Sequence, residues 1–153
     1  MDTLELRGPH GWLQIYCVVI DAAKSPIAAR GYQHLHYAVG GLGFSGEGDG
    51  FVAEDQLRTF CEALVALAKG EDVQSQLSNF EAEAGGLALT LRSGPNQDCI
   101  SVEGRIVKKV YQTLSQADGT YTWATEFGFW VRRDTLSVRT ARWVEKYMTV
   151  NAP

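Results

Sequence analysis

The sequence predicts an α+β fold, a mostly antiparallel curved sheet of about six strands with two main helices packed on one face. Three observations carry that expectation. Several segments place apolar residues at every second position, while two place them at three-and-four spacing. Strands and helices do not alternate regularly, which disfavours a doubly wound parallel sheet. The later strands are separated by turn signals short enough for antiparallel hairpins.

The elements follow in order. Leu4 and Leu6 indicate a short first strand, and Gly8-Pro9-His10-Gly11 a turn. Trp12 to Ile20 is rich in β-branched and aromatic residues on both alternating faces, as a covered central strand requires. Asp21 to Gly31, with Pro26, reads as a loop. The next strand runs from Tyr32 to about Phe44, with Leu35, Tyr37 and Val39 on one face and His34, His36 and Ala38 on the other. Glycines 40, 41, 43, 46, 48 and 50 then loosen the chain.

Residues 53–69 predict a helix whose buried stripe is Leu57, Phe60, Cys61, Leu64, Leu67 and Ala68, stopped by Gly70. Val73 to Phe80 reads as a short helix or irregular segment. Leu87, Leu89 and Leu91 alternate on a strand that ends in the turn Ser93-Gly94-Pro95-Asn96. Ile100 and Val102 begin another strand that continues past Gly104 towards Tyr111. Asp118-Gly119 is a hairpin signal leading into Trp123, Thr125, Phe127, Phe129 and Val131. Asp134 is the expected N-cap of a closing helix bearing Leu136, Thr140, Trp143, Val144 and Tyr147.

With 153 residues and 16.8 kDa, one core spanning residues 1–153 as a single domain is expected. A compact chain of this size buries roughly 70% of its unfolded surface. No apolar run approaches the roughly 18 residues of a membrane span. The acidic start, Met1-Asp2-Thr3-Leu4-Glu5, lacks the basic-then-apolar order of a signal peptide. Cys17, Cys61 and Cys99 are widely separated in apolar surroundings and read as reduced core thiols, which points to a cytoplasmic setting.

The net charge is −4, unevenly spread. Between Glu47 and Glu83 there are nine acids and two bases, whereas between Arg92 and Lys146 there are nine bases and six acids. Solvated faces are the plainer account, and an acidic surface that steers a basic partner is the functional one. Phosphate contacts need a dense basic stripe, so direct nucleic-acid binding is not expected.

Candidate chemistry is sparse. His34 and His36 project to one side of a strand, but no third ligand lies at a metal-binding spacing. Gly40 to Gly46 lacks the lysine and helix of a phosphate loop, and Glu47 and Asp49 follow it. Ser45 lacks the glycine spacing of a nucleophile elbow. Glu81 and Glu83 sit in a polar, Ala/Gly-rich linker where carboxylates keep ordinary acidity. Trp12, Trp123 and Trp143 are expected in the core, and Trp130, near Arg132, is a candidate interface anchor. No catalytic residue, metal site or cofactor is assigned.

Four stretches resemble the WapI-type immunity proteins of bacterial polymorphic toxin systems. Gly43-Phe44-Ser45-Gly46, with the helix around Leu57, Phe60, Leu64 and Leu67, is similar to that family's glycine-rich strand and following helix. Gly86-Leu87-Ala88-Leu89-Thr90-Leu91 and Ile100-Ser101-Val102-Glu103-Gly104-Arg105-Ile106 are similar to its next two strands. Phe127-Gly128-Phe129 through Asp134-Thr135-Leu136, with the closing helix, is similar to its final strand and helix. The resemblance spans roughly residues 12–148 and departs most before Phe44.

It implies an α+β protein that binds and neutralises a cognate toxin domain, often a nuclease, without catalysis of its own. Glu47, Asp49, Glu54, Asp55 and Glu62 would then meet the toxin's cations, with Trp130 as a further partner-binding residue. Three other readings stay open. One is a small-molecule site on a concave sheet lined by Tyr16, His34, His36 and Trp130, one an adaptor that homodimerises through an edge strand, and one an enzyme without a recognisable motif.

Overall fold

The computed structural model describes residues 3–17, 31–78, 86–114, 117–135 and 138–149. The expected loop from Asp21, the carboxylates Glu81 and Glu83, and Leu136 lie outside them. The described chain is an α+β fold made mostly of strands. It forms two four-stranded antiparallel sheets, where one sheet of about six strands was expected. The first sheet is a meander of β1 (Thr3–Arg7), β2 (Trp12–Cys17), β3 (Tyr32–Gly41) and β4 (Phe44–Ala53), followed by helix α1 (Glu54–Ala68). The second repeats the plan with β5 (Gln74–Ser78), β6 (Gly86–Ser93), β7 (Cys99–Leu114) and β8 (Ala117–Arg132), followed by a 3-10 turn (Arg133–Thr135) and helix α2 (Val138–Thr149). Each helix lies against the first strand of the other half, α1 on β5 and α2 on β1, and the helices touch each other.

Two segments, β4 and β5, account for the extra strands. Gly46, Gly48 and Gly50 do not loosen the chain; they are the inward positions of β4, paired with Val39, Tyr37 and Leu35 of β3. Large β3 side chains occupy the room that the glycines leave, and a side chain at Gly48 would meet the Tyr37 hydroxyl at 2.8 Å. Gln74–Ser78 is a strand because Ser75 and Leu77 both point inward at period two. The Ser75 hydroxyl donates to the Phe60 carbonyl at 2.7 Å, tying the strand to α1.

Inward residues of both sheets join one core with Leu57, Phe60, Cys61, Leu64 and Leu67 of α1 and Trp143 of α2. The α1 stripe is the predicted one except that Ala68 is only half-buried, since three-and-four spacing keeps these residues on one helical face. Ala53 precedes α1 with no side-chain cap, and Glu54 and Asp55 in the first turn complement the helix dipole instead. At the other end Gly70 adopts φ +93°, its amide donating to the Leu67 carbonyl and the Glu71 amide to the Ala66 carbonyl. That is a Schellman stop.

Two expectations in the second half need correction. The β7–β8 ladder runs to a Leu114–Ala117 pair, so Asp118 and Gly119 lie within β8, opposite Thr113 and Gln112. Asp134 sits in the 3-10 turn, and its carboxylate accepts from the Arg132 guanidinium at 3.0 Å. It therefore does not cap α2, which starts at Val138.

Candidate functional site

β1 and β5, the first strands of the two sheets, are each engaged by a helix. Thr140 of α2 bonds to the backbone of Glu5, and α1 holds Ser75 as described. The last strands differ. Among the described residues, no backbone hydrogen bond from another element reaches the outer edge of β4 from Phe44 to Phe51, or that of β8 from Trp123 to Phe127.

A groove runs between those two free edges. One part, of about 250 Å³, is lined by Phe44, Ser45 and Gly46 on one side and by the run from Thr125 to Phe129 on the other. Consecutive residues of a strand point to opposite faces, so a groove lined by both parities looks onto a strand edge. A second part, of about 620 Å³, continues past Gly46 and Glu47 to Trp12, Ile106, Lys108 and Trp123. Val39, Ser45, Gly46 and Thr125 line both parts. The β1–β2 turn closes one end: a side chain at Gly11 would run into the Phe129 ring, and one at Gly8 into the Trp130 carbonyl.

The rim is apolar and exposed. Leu42 is 79% exposed, Phe44 74% and Trp123 68%, whereas large apolar side chains usually gather in the core. Trp123 was expected inside. It keeps the inward parity of Phe127 and Phe129, but the β6–β7 pairing stops at Gly86–Val107, so among the described residues no third strand lies beside its partner Lys108. Leu42 and Gly43 form the two-residue link between β3 and β4, both at positive φ (51° and 84°). Such turns favour Asn-Gly, because a branched apolar residue is strained in the left-handed region. The hairpin thus holds a leucine out into solvent in a conformation leucine disfavours.

The sequence-predicted acids fall on two consecutive elements, β4 and α1. Glu47 and Asp49 stand on the outer face of β4, with side chains 75% and 63% exposed. Each lies 3.8 Å from a histidine of β3, Glu47 from His36 and Asp49 from His34. His36 rests against Tyr16 and His34 stacks on Phe51, each at 4.8 Å between ring centres. Glu54 accepts from the Gln33 amide at 2.8 Å. Asp55 and Glu62 are exposed on α1, where Asp55 accepts from the Gln56 backbone amide at 2.8 Å. Trp130 is exposed on the outer face of the second sheet, opposite Ser101. Tyr16, His34 and His36 occupy the outer face of the first sheet, so the small-molecule surface expected to join them to Trp130 does not form.

The titratable core groups are chemically quiet. Burial, then the Cys17 thiol and the Glu62 carboxylate, pushes the Cys61 thiol up to about 12. Burial, then the Asp49 carboxylate, pushes the Tyr37 phenol up to about 12. Both stay protonated near neutrality, unlike a thiolate nucleophile. Ser45 lies in extended β4 opposite Gly40. Among the described residues no three His, Cys, Asp or Glu side chains are placed to hold a metal ion, and no helix is long and apolar enough to cross a membrane.

Sequence reasoning missed Leu42, Phe44, Trp123 and Glu126, the residues that frame the groove. The available signal was Gly41-Leu42-Gly43, an apolar residue between two turn-forming glycines. No family model, no curated protein and no solved structure matches this chain.

Proposed function

We propose that this protein acts by binding another protein in the groove between β4 and β8, and that it neutralises a toxin domain by occlusion. One observation carries the binding reading: three large apolar side chains, Leu42, Phe44 and Trp123, are held in solvent around a groove flanked by two free strand edges. Exposed apolar groups gathered at a concavity are the usual mark of an interaction site. The choice of a toxin domain rests on the resemblance to WapI-type immunity proteins, and Glu47, Asp49 and Glu126 near the groove suit a basic partner.

Co-expression with any toxin-like domain encoded beside the gene tests this reading, scored by host survival and co-purification. Rescue with a stable complex is expected for the native chain, together with loss of both for Phe44→Asp. Failure of the native chain to rescue or to co-purify overturns the pairing.

A second reading has its own observation. The larger part of the groove, about 620 Å³ and lined by Trp12, Trp123, Glu47 and Lys108, is within the size range of small-molecule sites. A thermal-shift screen of small metabolites tests it. A ligand whose stabilisation disappears in Trp123→Ala supports it, and no stabilising ligand argues against it.

A further inference from the structure

We infer that the groove takes one extended segment of the partner as an added strand on the free edge of β4, with apolar side chains facing inward and basic side chains facing outward in alternation. This rests on the protein-binding reading above and specifies the form of the ligand. Three features of β4 lead to it.

The first is the edge itself. The backbone groups of β4 that point away from β3 meet no backbone partner among the described residues from Phe44 to Phe51. An extended peptide laid alongside satisfies them and gains affinity from main-chain bonds. Protected edges usually carry charges, lysine above all, proline or a bulge; Phe44 to Phe51 has only the carboxylates Glu47 and Asp49, neither lysine nor proline, and pairs with β3 without interruption.

The second is the inward face. Gly46 places no side chain there, and one built on it would come no closer than 3.7 Å to Ile106, whereas the room at Gly48 is taken by Tyr37. Alternate side chains of an added strand would enter this space beside Val39, Ile106 and Phe127, all lining the groove. Apolar residues suit those positions.

The third is the outward face. On β4 it carries Glu47 and Asp49, both largely exposed, and Glu126 stands across the groove on β8. A residue of the added strand beside Glu47 or Asp49 lies within cross-strand reach of a carboxylate, so lysine or arginine is favoured and aspartate or glutamate opposed. Lys108 is the one described lysine or arginine among the lining residues; it shares the larger part of the groove with Glu47 and leaves the part lined by Phe44 and Glu126 to the basic residues. Apolar residues alternating with basic ones are therefore the pattern the groove selects.

The experiment is selection of random heptapeptides displayed on phage against the full chain, followed by fluorescence anisotropy with the synthetic consensus peptide. The expected consensus alternates apolar residues with Lys or Arg. Methylating every second peptide nitrogen of that sequence should weaken binding at least roughly tenfold in one phase and leave it nearly unchanged in the other, because only one edge of the peptide faces β4. Glu47→Gln and Asp49→Asn should each weaken it roughly twofold to fivefold at low salt.

Absence of an enriched peptide, an acidic or non-alternating consensus, or indifference to the methylation phase overturns the inference. If the toxin-domain complex still forms in any of those cases, the protein-binding reading stands and only strand addition falls. Sedimentation of the chain alone covers a further occupant. A dimer dispersed by Phe44→Asp would place a second copy of this chain in the groove and likewise overturn the proposal.

Discussion

The Thr140 hydroxyl closes the outer edge of β1 by bonding twice to Glu5, accepting from its backbone amide at 3.0 Å and donating to its carbonyl at 2.9 Å. Thr140 is 1% exposed, so its hydroxyl is committed to these two bonds in a place shielded from water. One side chain thus plays the part of a neighbouring strand for one residue and ties the last helix to the first strand. Thr140→Val keeps the shape and removes both bonds, and should lower unfolding free energy by about 1–3 kcal/mol. Thr140→Ser keeps the hydroxyl and should lose less. Urea denaturation of both variants checks this, and equal losses would mean that packing, not the two bonds, holds α2 in place.

Two glycines of β4 separate space from strain. Gly46 and Gly48 share the inward face of one strand, yet a methyl group at Gly46 would sit 3.7 Å from Ile106, while one at Gly48 would lie 2.8 Å from the Tyr37 hydroxyl and 3.0–3.1 Å from its ring. Gly46→Ala should be neutral or stabilising by a few tenths of a kcal/mol, through the lower entropy of the unfolded chain. Gly48→Ala must displace the Tyr37 ring and should cost about 1–3 kcal/mol. Thermal unfolding of the pair decides it, and equal melting temperatures would count against the close Tyr37–Gly48 packing.

Much of the fold was legible where side-chain periodicity reports burial directly. The α1 stripe, the alternation of Leu87, Leu89 and Leu91, and the Gly70 stop all reappear because each depends on local geometry alone. The extra strands were hidden for two physical reasons. β4 turns glycines inward, which carry no hydropathy signal, and β5 places only Ser75 and Leu77 inward along five residues. The site was hidden further. Which edges stay uncovered depends on how the two meanders and their helices meet, and Trp123 reads as core by its parity although among the described residues no third strand reaches it. Glu47 and Asp49 were legible as acids, but their histidine neighbours follow only from the β3–β4 register.

Alkaline pH should unfold this protein through its buried acids. The Cys61 thiol is raised from 9.0, and the Tyr37 phenol from 10.0, each to about 12, mainly by burial. The unfolded chain therefore releases these protons at lower pH than the folded one, and stability falls as pH rises. The contribution is complete below about pH 9 and is lost progressively towards about pH 12, the Cys61 part starting first. Tyr37→Phe removes the phenol's share and should make the decline of the urea midpoint shallower above about pH 10. A midpoint that stays flat across this range in the native chain would show that neither group is desolvated as described.

The Leu42 turn should separate stability from binding. Its φ of +51° is costly for leucine and readily adopted by asparagine, and an Asn-Gly pair is the favoured link for a hairpin of this kind. Leu42→Asn removes the strain and a largely exposed apolar side chain together, and should stabilise the fold by about 0.5–1 kcal/mol. The same change strips one of the three apolar groups from the groove rim, so affinity for the partner should fall while the melting temperature rises. Calorimetric unfolding and a binding titration on the same preparation check both directions. A leucine kept only by chance would give a more stable protein that binds as well as before. A drop in stability would instead mean that Leu42 holds the hairpin through contacts its exposure does not reveal.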